Sequence, residues 1–147
     1  MSEHFLQGPE WSWNHPVEDE PTYVHHWVKP LHKMEQPPDL ILYGAPISRS
    51  SISVSGASLY PSEFRRMWKG FATYNLDENV DLSTFQVADA GDVAMHSTDI
   101  LLSHQRIQKT TAYLATHYPT TRTCMIGGDH STTACAVRGI KEVFGWG

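Results

Sequence analysis

The sequence predicts an α/β fold, a three-layer α-β-α arrangement around a parallel sheet, and two observations carry that prediction. Segments of strand length recur three times after residue 39, at residues 40–43, 85–89 and 123–126, the first of them a continuous apolar run. Segments of helix length, with apolar residues at helical spacing, lie between and after them. Strands joined through helices run parallel, with right-handed crossovers.

Residues 1–38 stand apart from that pattern. They hold Pro9, Pro16, Pro21, Pro30, Pro37 and Pro38, together with Trp11, Trp13 and Trp27. Prolines at this density block long helices and central strands. Each tryptophan needs a surface to cover. The expectation is an irregular Pro/Trp-rich N-terminal arm lying on the body of the domain, with residues 39–147 forming the α/β unit.

The elements of that unit follow in order. Leu40-Ile41-Leu42-Tyr43 is a continuous apolar run closed by Gly44, as a strand buried on both faces requires. A serine-rich loop follows, with Ser48, Ser50, Ser51, Ser53, Ser55 and Ser58 around Arg49 and Gly56. Pro61 suits the first turn of a helix running to about Lys69. Phe85-Gln86-Val87-Ala88-Asp89 reads as the second strand, closing on Ala90-Gly91-Asp92-Val93. Residues 98–117 are the longest helix, with Ile100, Ile107 and Leu114 on one stripe beside His104 and Thr111. Thr123-Cys124-Met125-Ile126 is the third strand. Residues 131–144 form the next helix, with Val137, Ile140 and Phe144 on one face.

Composition sets bounds on function. A chain of 147 residues with 40% apolar and 18% charged residues fits one globular domain. A net charge of −5 gives no basic footprint for nucleic acid and none for a membrane surface. No stretch reaches the ~18 apolar residues of a membrane span. The first thirteen residues lack the basic lead and apolar centre of a secretory signal. Two cysteines, Cys124 and Cys135, are too few for a disulfide framework and read as reduced, packed thiols of a cytoplasmic protein.

Ligands of open parallel sheets bind outside the carboxyl ends of the strands. Three corners meet that condition: the serine-rich loop, Asp89 to Asp92, and Gly127-Gly128-Asp129-His130-Ser131. In the third, two glycines let the backbone turn sharply and pass close to a bound group. Asp129 and Ser131 suit a helix start, and His130 offers an imidazole, a good ligand for a transition metal. Taken alone, this corner also reads as a tight turn with a helix cap and a surface histidine. His25, His26 and His32 cluster in the arm without the cysteine or carboxylate pattern of a zinc site. His104 is expected to be packed or partly exposed on its helix, and His96 to shape the loop after the second strand.

Several separated segments together resemble one family in order. Gly127-Gly128-Asp129-His130-Ser131 is similar to the first metal motif of the arginase, agmatinase and formimidoylglutamase superfamily, the ureohydrolases. Asp89-Ala90-Gly91-Asp92-Val93 resembles its Asp-x-Gly-Asp strand end. Tyr43-Gly44-Ala45-Pro46 resembles its first strand and Gly-x-Pro turn, and Gly56-Ala57-Ser58 with Pro61 and Arg65 its approach to the first helix. The segment from Pro46 to Ser58 and the stretch from Asp92 to Asp99 look most like the formimidoylglutamase branch.

The resemblance implies a manganese-dependent hydrolase of C–N bonds in linear amidines, with formimidoylglutamate going to glutamate and formamide. An agmatinase or guanidino-acid hydrolase is the alternative. His130 would bind one Mn2+ of a binuclear centre, and Asp129 would orient that ligand. Asp89 and Asp92 are read as structural before they are read as ligands. Arg49, with Ser50 and Ser51, would hold a substrate carboxylate; the other reading of Arg49 is a solvated loop residue. The family's Asp-Ala-His-x-Asp motif and later Asp-x-Asp strand end are not in the sequence. The expectation is therefore an N-terminal half, truncated after about three strands, without catalytic residues of its own and inactive alone. Its partners would be a small amidine or guanidino substrate and either further copies of itself or a complementing C-terminal half. A non-catalytic remnant binding a homologue through an open sheet edge is a further reading, as is a mononuclear binding domain using His130 with Asp89 and Asp92.

Overall fold

A computed structural model describes residues 4–13, 23–48, 53 and 55–145. Its elements in chain order are β1 (Leu6–Gln7), α1 (Val24–Trp27), β2 (Lys29–Pro30), β3 (Leu40–Ala45), α2 (Tyr60–Met67), β4 (Tyr74–Asn75), β5 (Val80–Asp81), β6 (Val87–Val93), α3 (Ile100–His117), β7 (Arg122–Gly127) and α4 (Ser131–Phe144). The parallel core has the order β6-β3-β7. It is the three-layer arrangement read from the strand and helix pattern.

Alternation along β3 explains why it is central. Ile41, Tyr43 and Ala45 face a core built with Ile107 and Leu114 of α3 and Cys135 of α4. Leu42, with partly buried Leu40, faces the opposite core, among Val28, Trp68 and Val87, with Phe64 of α2 packed against them. A strand whose two faces are both covered must be apolar at every position. The chain leaves β3 through α2 on one face and returns to β6. It then crosses through α3 on the other face to β7, on the far side of β3. This reversal of direction opens a crevice at the carboxyl ends of the strands.

The N-terminal segment is more regular than expected. β1 pairs antiparallel with the end of β6, at Val93 and Asp92, and β2 pairs parallel with its start, at Ala88 and Asp89. Together they occupy the outer edge of β6, so the sheet has five strands and is mixed. Pro30 is tolerated there because an edge strand needs no donor on its outer side. Two tryptophans fasten the segment, Trp13 Nε1 donating to Arg65 O at 2.9 Å and Trp27 Nε1 to Phe85 O at 2.8 Å.

Other differences have local causes. Helix α3 starts at Ile100 because the Asp99 carboxylate accepts from Leu102 N at 2.9 Å and caps it. Its stripe is buried at Ile107, Thr111 and Leu114. The buried face of α4 is Thr132, Cys135 and Gly139, whereas Val137 and Phe144 are exposed. Close packing against α3 selects small residues there over the larger apolar ones. Both cysteines are free; Cys135 is buried but Cys124 is exposed, so one of the two expected packed thiols is not packed. The hairpin of β4 and β5 was not legible as strands, being two residues on each side and solvent-exposed.

Candidate metal corner

Asp89 and Asp92 lie three residues apart, which in a regular strand would point them to opposite faces. They converge because β6 is bulged. Leu42 of β3 pairs with Asp89, and Gly44, two residues on, pairs with Asp92, three residues on. The extra residue resets the alternation, with Gly91 at φ +85°. Both carboxylates then meet Arg65 of α2. Arg65 donates from Nε and Nη2 to Asp89 at 2.6 and 2.8 Å, from Nη1 to Asp92 at 2.9 Å, and from Nη2 to Gly91 O at 3.1 Å. Burial opposes the guanidinium charge, but the two carboxylates outweigh it and hold the Arg65 pKa above its ordinary value. Glu10 N of the N-terminal segment donates to the other Asp92 oxygen at 3.3 Å. This strand end is a buried ion cluster, and the carboxylates that resemble metal ligands by type are engaged with arginine.

The third corner lies at the end of β7. The chain bends at Gly128 and Asp129 as expected, without a left-handed residue: neither Gly127 nor Gly128 has a positive φ. What Gly128 supplies is space. A Cβ there would stand 1.9 Å from Ile47 O and 2.8 Å from Ala45 O. The chain therefore passes against the loop after β3, and Asp129 N donates to Ile47 O at 2.8 Å. The Asp129 side chain turns toward the helix start, its Oδ1 accepting from Ser131 N at 3.1 Å and from Ser131 Oγ at 2.6 Å. His104 Nε2 of α3 lies 2.8 Å from the same hydroxyl. Asp129 is buried, and His130 is exposed at the first position before α4.

The sequence-predicted residues are thus brought together in part. Asp129 and His130 share one rigid corner. Asp89 and Asp92 share the arginine cluster. Arg49, Ser50 and Ser51 lie outside the described residues; of their loop, Ser48 Oγ is 3.3 Å from Ser58 Oγ. The His25 and His26 rings lie tilted against each other with centroids 4.0 Å apart beside Trp13, and His96 Nδ1 accepts from Asp99 N at 3.0 Å, shaping its loop. Among the described residues no three His, Cys, Asp or Glu side chains form a group able to hold a metal ion. No described helix is long and apolar enough to cross a membrane. Sequence reasoning missed the contact of His104 with Ser131, because 27 residues separate them. The only local signal was the position of His104 on the α3 stripe that faces α4.

The chain as a whole is similar to known proteins. The Arginase family model matches residues 38–146. A formimidoylglutamase of Halalkalibacterium halodurans is 38% identical over 104 residues, 71% of this chain and 33% of that protein. The crystal structure of formimidoylglutamase from Bacillus subtilis superposes with a TM-score of 0.75 at 28% identity, covering 95% of this chain and 42% of that one. A Trypanosoma cruzi formiminoglutamase solved with Mn2+ shares the fold, with a TM-score of 0.63 at 22% identity over 76% of this chain and 39% of its own. The chain spans about a third of the length of the curated relatives it matches. It belongs to the arginase family.

Proposed function

We propose that this chain supplies the first metal corner of a manganese-dependent hydrolase that cleaves a C–N bond in a linear amidine, converting formimidoylglutamate and water to glutamate and formamide. The observation that carries this reading is His130. Its exposed imidazole has no hydrogen-bond partner among the described residues and is held at the carboxyl end of β7 by a corner fixed to the loop after β3. Imidazole suits a transition metal, and the Asp129 carboxylate beside it orients the corner. In this reading residues 1–38 form the arm and residues 39–147 the α/β unit.

The described residues do not by themselves fit a binuclear centre. Two divalent ions need several carboxylates, yet Asp89 and Asp92 neutralise Arg65 and Asp129 is bonded to Ser131. The proposal therefore assigns this chain one ligand, His130, and takes the other donors and the acid–base groups from outside the described residues. No step of the hydrolysis is assigned to the residues described.

A second reading has its own observation. Among the described residues β7 pairs with β3 alone, and Val137 and Phe144 of α4 are exposed. An unpaired parallel edge beside exposed apolar residues suits a chain that binds a homologue without catalysing anything. One experiment separates the two. The chain is mixed with a chain carrying the downstream two thirds of the Bacillus subtilis formimidoylglutamase, with manganese, and glutamate release is followed from formimidoylglutamate, with agmatine and arginine for comparison. Hydrolysis with bound manganese in the complex, and none by the chain alone, supports the first reading. A stable complex without metal or turnover supports the second. Hydrolysis by the chain alone overturns the assignment of a single ligand.

A further inference from the structure

The contact between α3 and α4 carries an inference about the corner itself. We propose that His104 is the positioning residue of the Gly127–Ser131 corner: as the Nε2–H tautomer it donates to Ser131, and Ser131 in turn holds the Asp129 carboxylate beside His130. The proposal rests on the reading of this corner as a functional site, but its geometry and its test do not involve a metal.

Proton counting fixes the direction of the chain. Asp129 Oδ1 accepts from Ser131 N at 3.1 Å, so it is an acceptor, and the Ser131 hydroxyl 2.6 Å away donates its single proton to it. That hydroxyl can then only accept from His104 Nε2, 2.8 Å away on its other side. His104 must carry its proton on Nε2. The order is His104 to Ser131 to Asp129.

This chain acts on the carboxylate in addition to the backbone packing. Gly128 admits no side chain against Ile47 O, and Asp129 N is bonded to the same carbonyl, so the main chain of the corner is fixed without His104. The Asp129 carboxyl group can still turn about its Cα–Cβ and Cβ–Cγ bonds, and Ser131 restrains it by occupying one of its oxygens twice. The distance from His104 to Ser131 is in turn set by Gly139. A Cβ on Gly139 would lie 2.4 Å from Gln108 O and 2.8 Å from Thr111 Cβ, so a residue without a side chain lets α4 lie against α3. Gln108 is one turn beyond His104 on α3, and Gly139 two turns beyond Ser131 on α4. The close approach there keeps the imidazole within reach of the hydroxyl.

The test uses the full 147-residue chain labelled with 15N, without metal, at about pH 8, above the ordinary imidazole range. Long-range 1H–15N correlation of the His104 ring is expected to show the proton on Nε2; a proton on Nδ1 overturns the proposal without any variant. Amide exchange then reads the positioning. His104→Ala should speed exchange of the Ser131 amide about fivefold, the loss of one net hydrogen bond, while the Ile107 and Leu114 amides stay unchanged. His104→Gln, which also presents an N–H donor, should restore most of the protection. Acceleration spread evenly over α3 and α4, or no rescue by glutamine, would make His104 a packing residue and overturn the assignment. Because no metal is added, a failure of manganese binding or hydrolysis in the assembled protein leaves these outcomes untouched.

Discussion

Arg65 and Asp89 meet edge to edge, with Nε to Oδ2 at 2.6 Å and Nη2 to Oδ1 at 2.8 Å, and both side chains are largely withdrawn from water. The bidentate fit is the geometry in which guanidinium and carboxylate bind best. Asp92 completes the cluster from the other side of the bulge. The cluster ties α2, the end of β6 and the N-terminal segment into one unit.

Removing the arginine should therefore cost more than its own contacts. Arg65→Met leaves two buried carboxylates without a cation, and a loss of about 3–5 kcal/mol is expected in urea unfolding. Replacing Arg65, Asp89 and Asp92 together with apolar residues should cost less than Arg65→Met alone, because no uncompensated charge remains. A triple variant less stable than the single one would contradict this account.

Stability should fall in strong base through Tyr43. Its ring is buried in the core under α3, and burial pushes its pKa from 10.0 to about 12, against a smaller opposing effect of the Thr111 hydrogen bond. The folded state thus resists losing the phenolic proton more than the unfolded chain does. The contribution is fully present below pH 10 and is lost as pH rises through about 12. A shift of that size corresponds to roughly 3 kcal/mol. Tyr43→Phe should flatten the stability profile in that window while losing the 2.9 Å bond to Thr111, about 1 kcal/mol at neutral pH. Denaturant midpoints from pH 8 to 12 check both.

The corner should tolerate loss of its imidazole and not of its glycine. His130→Ala removes an exposed side chain with no described hydrogen bond, and stability should stay within about 0.5 kcal/mol. Gly128→Ala forces a methyl group onto Ile47 O and should cost about 2–3 kcal/mol. Thermal midpoints of the two variants should therefore separate clearly.

Gly139→Ala should act at a distance. A methyl group there must push α4 away from Gln108 O, which lengthens the contact of His104 with Ser131. A loss of about 1–3 kcal/mol is expected, together with faster exchange of the Ser131 amide. Unchanged exchange would show that the helix spacing does not control the corner.

Much of the fold was legible because local chemistry and burial agree in it. The run from Leu40 to Tyr43 is apolar at every position, and only a strand covered on both faces uses such a run. Helix α4 was read at its observed bounds, since Ser131 follows a glycine corner and Gly145, at φ +60°, ends it. The short strands β1 and β2 were not legible. Two residues carry no period, and they are strands only because the edge of β6 is there to pair with. Helix α4 shows a related limit: periodicity identifies an apolar face, but the neighbouring helix decides which face is covered.

By itself the sequence determined the α/β class, the three core strands, the family motifs and the placing of Asp129 and His130 on one strand-to-helix turn, because each depends on residues close together in the chain. The tertiary structure decided the rest. It turned Asp89 and Asp92 inward onto Arg65 through a bulge, set Gly128 against Ile47, and brought His104 to Ser131 across 27 residues. Those relations depend on how strands and helices pack, and packing distances between distant segments leave no period in a sequence.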